Sequence, residues 1–355
     1  MTIVHLGRDR ATGERRRVES WARLLAACGA EVNRLALMVD FRLHAPSPTD
    51  FLHAVQGRVV PETMAWSTNY ATAELGKAKP DMILCVTTRA YDPAFEAIAP
   101  VVIDYVDSLA GSYGQRAPLA GLGPKGAAYL VLSRLHRRVE TSAGGGLLRR
   151  VAAGFTDARA LGAEWVPIVA WDFREVQPYT ADHDFVFVGN LGYLPNIEAL
   201  QFLGAAWPEF RQRRPETTLI VAGRQPAPAV MALAARHSWT VLPDFHDIFD
   251  VLGRGSVALA PVQHLSGIST KVLDSAAMGV PQVVTPEALS GVAPGFPAVV
   301  AEGGSQFAQA ALNLLRDVPR RTVLGRLGRK EMQRLYSVEA WQPWVTELVR
   351  SAGTR

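Results

Sequence analysis

The stretch that decides the fold runs from 256 to 285 and reads SVALAPVQHLSGISTKVLDSAAMGVPQVVT. An apolar run at 256–261 gives way to a Gly/Ser loop. Residues at helical spacing follow over 268–278, then Gly279, Pro281 and a second apolar run at 282–285. The order predicts strand, loop, helix, strand. Gly279 just past the helix and Pro281 beyond it are ordinary stop signals. At about 100° per residue, Ile268, Val272, Leu273, Ala276 and Ala277 form an apolar face, with Thr270, Lys271, Asp274 and Ser275 opposite.

Lys271 is out of place by charge. A cation in the first turn opposes the helix dipole. Asp274 lies at i+3, but in the less favourable base-before-acid order. An anion held jointly by the lysine and the N–H groups of Gly267, Ile268, Ser269 and Thr270 would remove the conflict. Alternatively, Lys271 is a surface residue in water. The chain has only five lysines (Lys77, Lys79, Lys125, Lys271 and Lys330), so arginine is the default cation and a lysine is a mild signal.

The stretch resembles the nucleotide-binding motif of the retaining GT-B glycosyltransferases of family 4, the "glycosyl transferases group 1", which reads roughly G-x-x-x-K-x-x-E-A-x-A-x-G-x-P. Gly267, Lys271, Asp274, Ala276 or Ala277, Gly279 and Pro281 fill it. The resemblance implies that Lys271 contacts a donor diphosphate and that Asp274 hydrogen-bonds the ribose. Asp274 replaces the family's Glu and is one methylene shorter. Ser266 stands at the family's other glutamate, which leaves the sugar-side contact open.

Composition sets the outer bounds. The 355 residues suffice for about two domains, and a hydrophobic content of 48% with 20% charged residues fits a globular protein with sizeable cores. No apolar run approaches the ~18–20 residues of a membrane span. The opening MTIVHLGRDR places apolar residues before charge, the reverse of a signal peptide, and reads as a first strand. Cys28 and Cys85 form no framework or metal pattern and read as buried thiols. A cytoplasmic protein is expected. The net charge is +4, with the excess in the first half. Residues 116–150 carry seven basic side chains against Glu140. With no nucleic-acid motif alongside, a basic face for an anionic acceptor or the inner membrane surface is the better expectation than nucleic acid.

Along the first half, a strand at 2–6, a helix at 14–28 and a strand at 31–39 have βαβ spacing and predict a doubly wound parallel sheet. Further strands are expected at 79–87 and 100–106, the latter delivering Asp104, Asp107 and Ser108 to its C-terminal end. GLGPKG at 121–126 matches G-x-G-x-x-G but follows no strand and contains Pro124, so it is rejected as a dinucleotide site. Residues 127–139 form an amphipathic basic helix: a core helix, or a membrane-surface one. Asp182, His183 and Asp184 are read as linker polarity. In the second half, strands are expected at 185–189, 218–223, 240–243 and 298–301, with a loop at 190–196 and helices at 197–210, 306–315, 320–336 and 338–349.

The family resemblance runs over 185–336 and is looser before it. It implies an α/β GT-B fold: two Rossmann-like doubly wound domains facing a cleft, with a C-terminal helix returning to the first. The expected boundaries are 1–171 for the acceptor domain, 172–184 for the linker, 185–336 for the nucleotide-sugar domain and 337–355 for the returning helix. The resemblance also points to Gly13, Arg15 and Arg16 near the donor sugar and phosphate. Gly189, Asn190 and Arg224 would lie near the diphosphate, and Asp107 would contact donor or acceptor hydroxyls. Each has a plainer role in turn formation, capping or surface charge. The implied activity is metal-independent sugar transfer with retention, without a cofactor, from a nucleotide diphosphate sugar, UDP-sugars favoured. The acceptor would be a hydroxyl-bearing small molecule, glycan or glycolipid, and the setting bacterial. A GT-B epimerase or phosphorylase, or a non-catalytic nucleotide-sugar-binding subunit, are the alternatives.

Overall fold

The computed structural model describes residues 1–6, 13–37, 68–121, 123–142, 146–169, 181–265 and 267–353, together with 52, 54, 56, 59 and 60. Ser266, most of the expected linker and the loop before Gly13 lie outside these residues. The chain divides into two units, 1–170 with 336–355, and 171–335.

The first unit is built from β1 (Thr2–Leu6), α1 (Gly13–Ala27), β2 (Asn33–Leu37), α2 (Thr68–Ala78), β3 (Ile83–Val86), β4 (Val101–Asp104), α3 (Leu109–Leu119), α4 (Pro124–Ser142), β5 (Leu147–Ala152), α5 (Phe155–Leu161) and β6 (Glu164–Trp165). The strands pair in parallel in the order β2-β1-β3-β4-β5-β6. Ile83 and Cys85 enter the core on one face of the sheet, Leu84 and Val86 the core on the other. Covering both faces is what makes β3 an unbroken apolar run. Cys85 is buried there, and burial pushes its thiol pKa up; Cys28 is only half-buried, contrary to expectation.

The second unit contains β7 (His183–Val188), α6 (Leu194–Arg213), β8 (Leu219–Ala222), α7 (Pro228–His237), β9 (Thr240–Leu242), α8 (Ile248–Leu252), β10 (Gly255–Ala260), α9 (Thr270–Met278), β11 (Gln282–Val284), β12 (Val299–Val300), α10 (Gly304–Arg316) and α11 (Val318–Leu335). Its parallel order is β12-β11-β10-β7-β8-β9. Counted within the unit this is 3-2-1-4-5-6, the doubly wound order of dinucleotide-binding folds. The last helix, α12 (Val338–Gly353), packs in the first unit, where Trp344 lies 6.3 Å from Trp21 and donates to Glu164 at 2.9 Å.

Four local expectations change. First, α3 and β5 were not expected; two glycines and Pro118 disguise the helix, and two arginines the strand. Second, residues 155–161, for which no element was predicted, form a helix with Gly162 as its left-handed cap. Third, Asp182, His183 and Asp184 are not idle linker polarity. Asp184 accepts from Arg214 at 3.2 Å and from the Thr218 N–H at 3.1 Å, and Asp182 pairs with Arg254 at 2.6 Å. They tie the start of β7 to neighbouring strands. Fourth, Asp274 and Ser275, opposite the apolar face of α9 by spacing, are buried as well. Gly328 on α11 brings that helix against Ala276, covering α9 from outside. GLGPKG is the joint between α3 and α4: a Cβ on Gly126 would fall 2.0 Å from the Gly121 carbonyl oxygen.

Candidate functional site

In the second unit the chain leaves β7 toward β8 and β9 on one side, while β10, β11 and β12 lie on the other. The carboxyl ends of β7 and β10 therefore meet at the switch point of the sheet, where open α/β folds bind ligands. Gly189 and Asn190 follow β7, and Gly267 to Lys271 follow β10.

The loops there are packed backbone to backbone. A Cβ on Gly223 would sit 1.6 Å from the Gly189 carbonyl oxygen, and one on Gly291 would sit 2.0 Å from that of Gly267. Neither site has room for a side chain. Gly267 also has φ +81°, which glycine adopts at little cost. Asn190 is exposed and closes its own turn, its Oδ1 accepting from the Gly192 N–H at 2.9 Å. Arg224 is exposed at the end of β8.

Ser269 occupies the N-cap of α9, yet its hydroxyl makes no capping bond. Its Oγ is buried, with no hydrogen-bond partner among the described residues. Lys271 lies in the first turn. It is half-buried, its Nζ 4.7 Å from the centre of the Phe187 ring and 2.5 Å from Asn196 Oδ1. Burial lowers its pKa from 10.5 to about 8. Asn196 also donates through Nδ2 to the Asn190 carbonyl at 2.8 Å, so one buried amide joins the β7 loop to the lysine. Asn196 was missed as a site residue, although it stands at the second turn-forming Asn of NLGYLPN. Asp274 lies one turn after Lys271 on the same helix, inside the protein. Ile268 and Thr270 are half-buried beside them.

The candidates in the first unit sit within that unit. Arg15 is exposed and Arg16 half-buried in the first turn of α1, which Gly13 opens. Arg17, the next residue, was not singled out, yet it is fully buried. Its Nε donates to Asp104 Oδ2 at 2.5 Å and its guanidinium to the Pro167 carbonyl at 2.7 Å. Trp21 donates to the same Asp104 oxygen. Asp104 Oδ1 receives the N–H of Val106, whose φ of +63° is unusual for a β-branched residue. Asp107 follows, half-buried, and Ser108 caps α3 by accepting from the Gly111 N–H at 2.9 Å. Ser108 also donates to the buried Glu140, whose pKa is raised by burial. Among the described residues no three or more His, Cys, Asp or Glu gather where a metal ion would fit.

Residues 182–317 match the family described as Glycosyl transferases group 1. No curated protein sequence matches the chain. Solved structures do. A glycosyltransferase from Rickettsia africae superposes with a TM-score of 0.64 at 11% identity, over 99% of this chain and 98% of that one. Anabaena Alr3699/HepE, solved in complex with UDP-glucose, gives 0.64 at 12% identity over 99% and 100%. A UDP-forming α,α-trehalose-phosphate synthase from Burkholderia xenovorans gives 0.56 at 11% over 92% and 89%. At these identities the structures establish the fold alone. The fold they establish for this chain is GT-B, and the stretch from β7 to α10 is the part that is similar to the group 1 family.

Proposed function

We propose that the protein transfers a sugar from a nucleotide diphosphate sugar to a hydroxyl-bearing acceptor, with retention and without a resident metal. The observation that carries this reading is the N-terminus of α9. It opens at the switch point, no described side chain caps it, and the cation of its first turn is held in place by Asn196 and Phe187. Breaking the bond between sugar and phosphate leaves extra negative charge on the departing diphosphate. Fixed positive charge and aimed N–H groups at that position are the chief catalytic requirement. Lys271 and the N–H groups of Gly267 to Thr270 supply both. The Ser269 hydroxyl, buried without a partner among the described residues, gains one from a phosphate oxygen.

In this reading Asp274 holds the ribose hydroxyls, while Gly189, Asn190 and Arg224 border the diphosphate. By the family resemblance, Gly13, Arg15 and Arg16 are assigned to the donor sugar and phosphate, and Asp107 to sugar or acceptor hydroxyls. UDP-sugars are the first donors to test, since Alr3699/HepE was solved with UDP-glucose. The screen is a melting-temperature comparison with UDP-, GDP-, ADP- and dTDP-sugars, followed by transfer to added acceptors with the anomer read by NMR. One donor class should stabilise the fold and yield an α-linked product from an α-donor. No stabilisation by any of the four, or a β-linked product, would overturn the assignment.

The acceptor side carries its own clue. Leu130 and Val131 are exposed on α4 at 48% and 52%, beside Arg134, Arg137 and Arg138. Apolar and basic residues together on a surface helix suit an anionic membrane face. The 116–150 segment would then hold the enzyme at the inner membrane, the reaction being cytoplasmic. No described helix is long and apolar enough to cross a membrane. Flotation with anionic vesicles is expected to fail for a Leu130→Asp, Val131→Asp variant. Equal recovery of variant and native protein would remove α4 from membrane contact.

A further inference from the structure

A cationic cavity lies elsewhere in the second unit, away from Lys271. It measures about 470 Å³ and is lined by Met278, Val318, Thr322 and three arginines, Arg321, Arg326 and Arg329, with no carboxylate in its wall among the described residues. Ala181, before β7, and Ser256, at the start of β10, also border it. It therefore sits at the amino ends of the strands, whereas Lys271 follows their carboxyl ends. The nine residues of α9 put roughly 13 Å between the two places at 1.5 Å per residue.

Gly325 makes the cavity. A Cβ there would fall 2.1 Å from the Gly279 carbonyl oxygen, so only glycine lets α11 come this close to the end of α9. Arg321 and Arg329 stand one turn to either side of Gly325 and are carried in with it. The carbonyls at that end of α9 are engaged: Ala276 accepts from the Gly279 N–H, Ser275 from the Val280 N–H, and Ala277 from Arg329 at 3.5 Å. Nearby carboxylates are engaged too, Asp182 with Arg254 and Asp317 with the Arg320 N–H. Arg321 is the exception. Its Nε is buried and has no hydrogen-bond partner among the described residues. Arg321 as a whole is half-buried, but a buried N–H without an acceptor is itself costly, and an anion in the cavity would remove that cost.

We propose that this cavity binds a phosphoryl group, with Arg321 and Arg326 as its principal ligands. Planar guanidinium groups match phosphate oxygens two at a time. Met278 and Val318 offer an apolar wall to the rest of the carrier, which is either a soluble phosphate ester or a lipid headgroup. The assignment stands independently of the donor site.

Calorimetric titration of the whole protein with inorganic phosphate tests it. Saturable binding is expected, weakened by about tenfold or more in Arg321→Gln and in Arg326→Gln, and still present in Lys271→Ala. Arg326 is exposed, so its variant gives the same readout if Arg321→Gln does not fold. Flotation with phosphatidic acid vesicles, against neutral phosphatidylcholine, separates the sources. Recovery lost in Arg326→Gln identifies a lipid headgroup, and phosphate binding without such a loss identifies a soluble ester. Absence of binding to both, or binding abolished by Lys271→Ala and untouched by the arginine variants, would overturn the proposal.

Discussion

Lys271→Ala is expected to weaken nucleoside diphosphate binding at neutral pH by about 1.5–3 kcal/mol, roughly ten- to 150-fold, the size of a lost charged hydrogen bond. The pH dependence makes the test specific. Burial pushes the Lys271 pKa from 10.5 to about 8, the ammonium meeting Asn196 and the Phe187 face in place of part of its water. In the folded protein the charged form is thus the disfavoured one. Between about pH 8 and 10.5 the unfolded chain keeps a proton that the native chain has released, so this residue's contribution to stability improves as pH rises through that window. A bound diphosphate has the opposite preference, since it favours the ammonium. Affinity in the native protein should therefore be full below about pH 8 and decline above it. The difference between native and Lys271→Ala proteins should shrink over the same range. Lys271→Arg, charged throughout, should flatten the profile even if its geometry weakens binding. Calorimetry from about pH 7 to 10 reads all three. A pH-independent difference, or none, would take the lysine away from the phosphate.

Much of this site was legible because its signals are local. Gly279 and Pro281 end α9 where expected, and the apolar runs on either side are β10 and β11. The misplaced charge of Lys271 pointed to an anion before any contact was known. What the spacing could not show was what covers α9. Asp274 and Ser275 lie opposite the apolar face by spacing, yet both are buried, and α11, some fifty residues further on, packs against α9 at Ala276 and Gly279 through Gly328 and Gly325. Glycines within an otherwise basic helix are weak helix formers, and nothing local marks them as contact points. Asn196 was hidden for a related reason: a turn-forming residue by sequence, it becomes a bridge only when β7 and β10 lie side by side. In the first unit the reading stopped at Arg16, one residue short of the arginine that the fold buries. A run of Glu-Arg-Arg-Arg gives no hint which member turns inward; Asp104, almost ninety positions away, decides it.

That buried pair supports the second large effect, a loss of about 3–5 kcal/mol in the stability of the first unit on Asp104→Ala. Asp104 and Arg17 are both fully enclosed, and the carboxylate takes hydrogen bonds from Arg17, Trp21 and the Val106 N–H. Removing it leaves a guanidinium inside the protein with the Pro167 carbonyl and the Trp21 ring, 5.1 Å away, as its remaining company. The cost is chiefly that of the stranded charge, so removing Arg17 as well should reverse part of it: Arg17→Met with Asp104→Leu is expected to be more stable than Asp104→Ala alone. Hydrogen exchange resolves the effect by unit. Amides of β1, β3 and β4 should lose protection while those of β7, β8 and β10 keep theirs; uniform loss, or a change below about 1 kcal/mol, would contradict the assignment. Asp104→Asn separates the two jobs of the carboxylate. It keeps an oxygen for the Val106 N–H, and with it the φ of +63° that presents Asp107 and Ser108 at the end of β4, while giving up the charge that answers Arg17. Its stability should therefore fall between native and alanine, and protection at the Asp107–Ser108 turn should survive in it but not in Asp104→Ala.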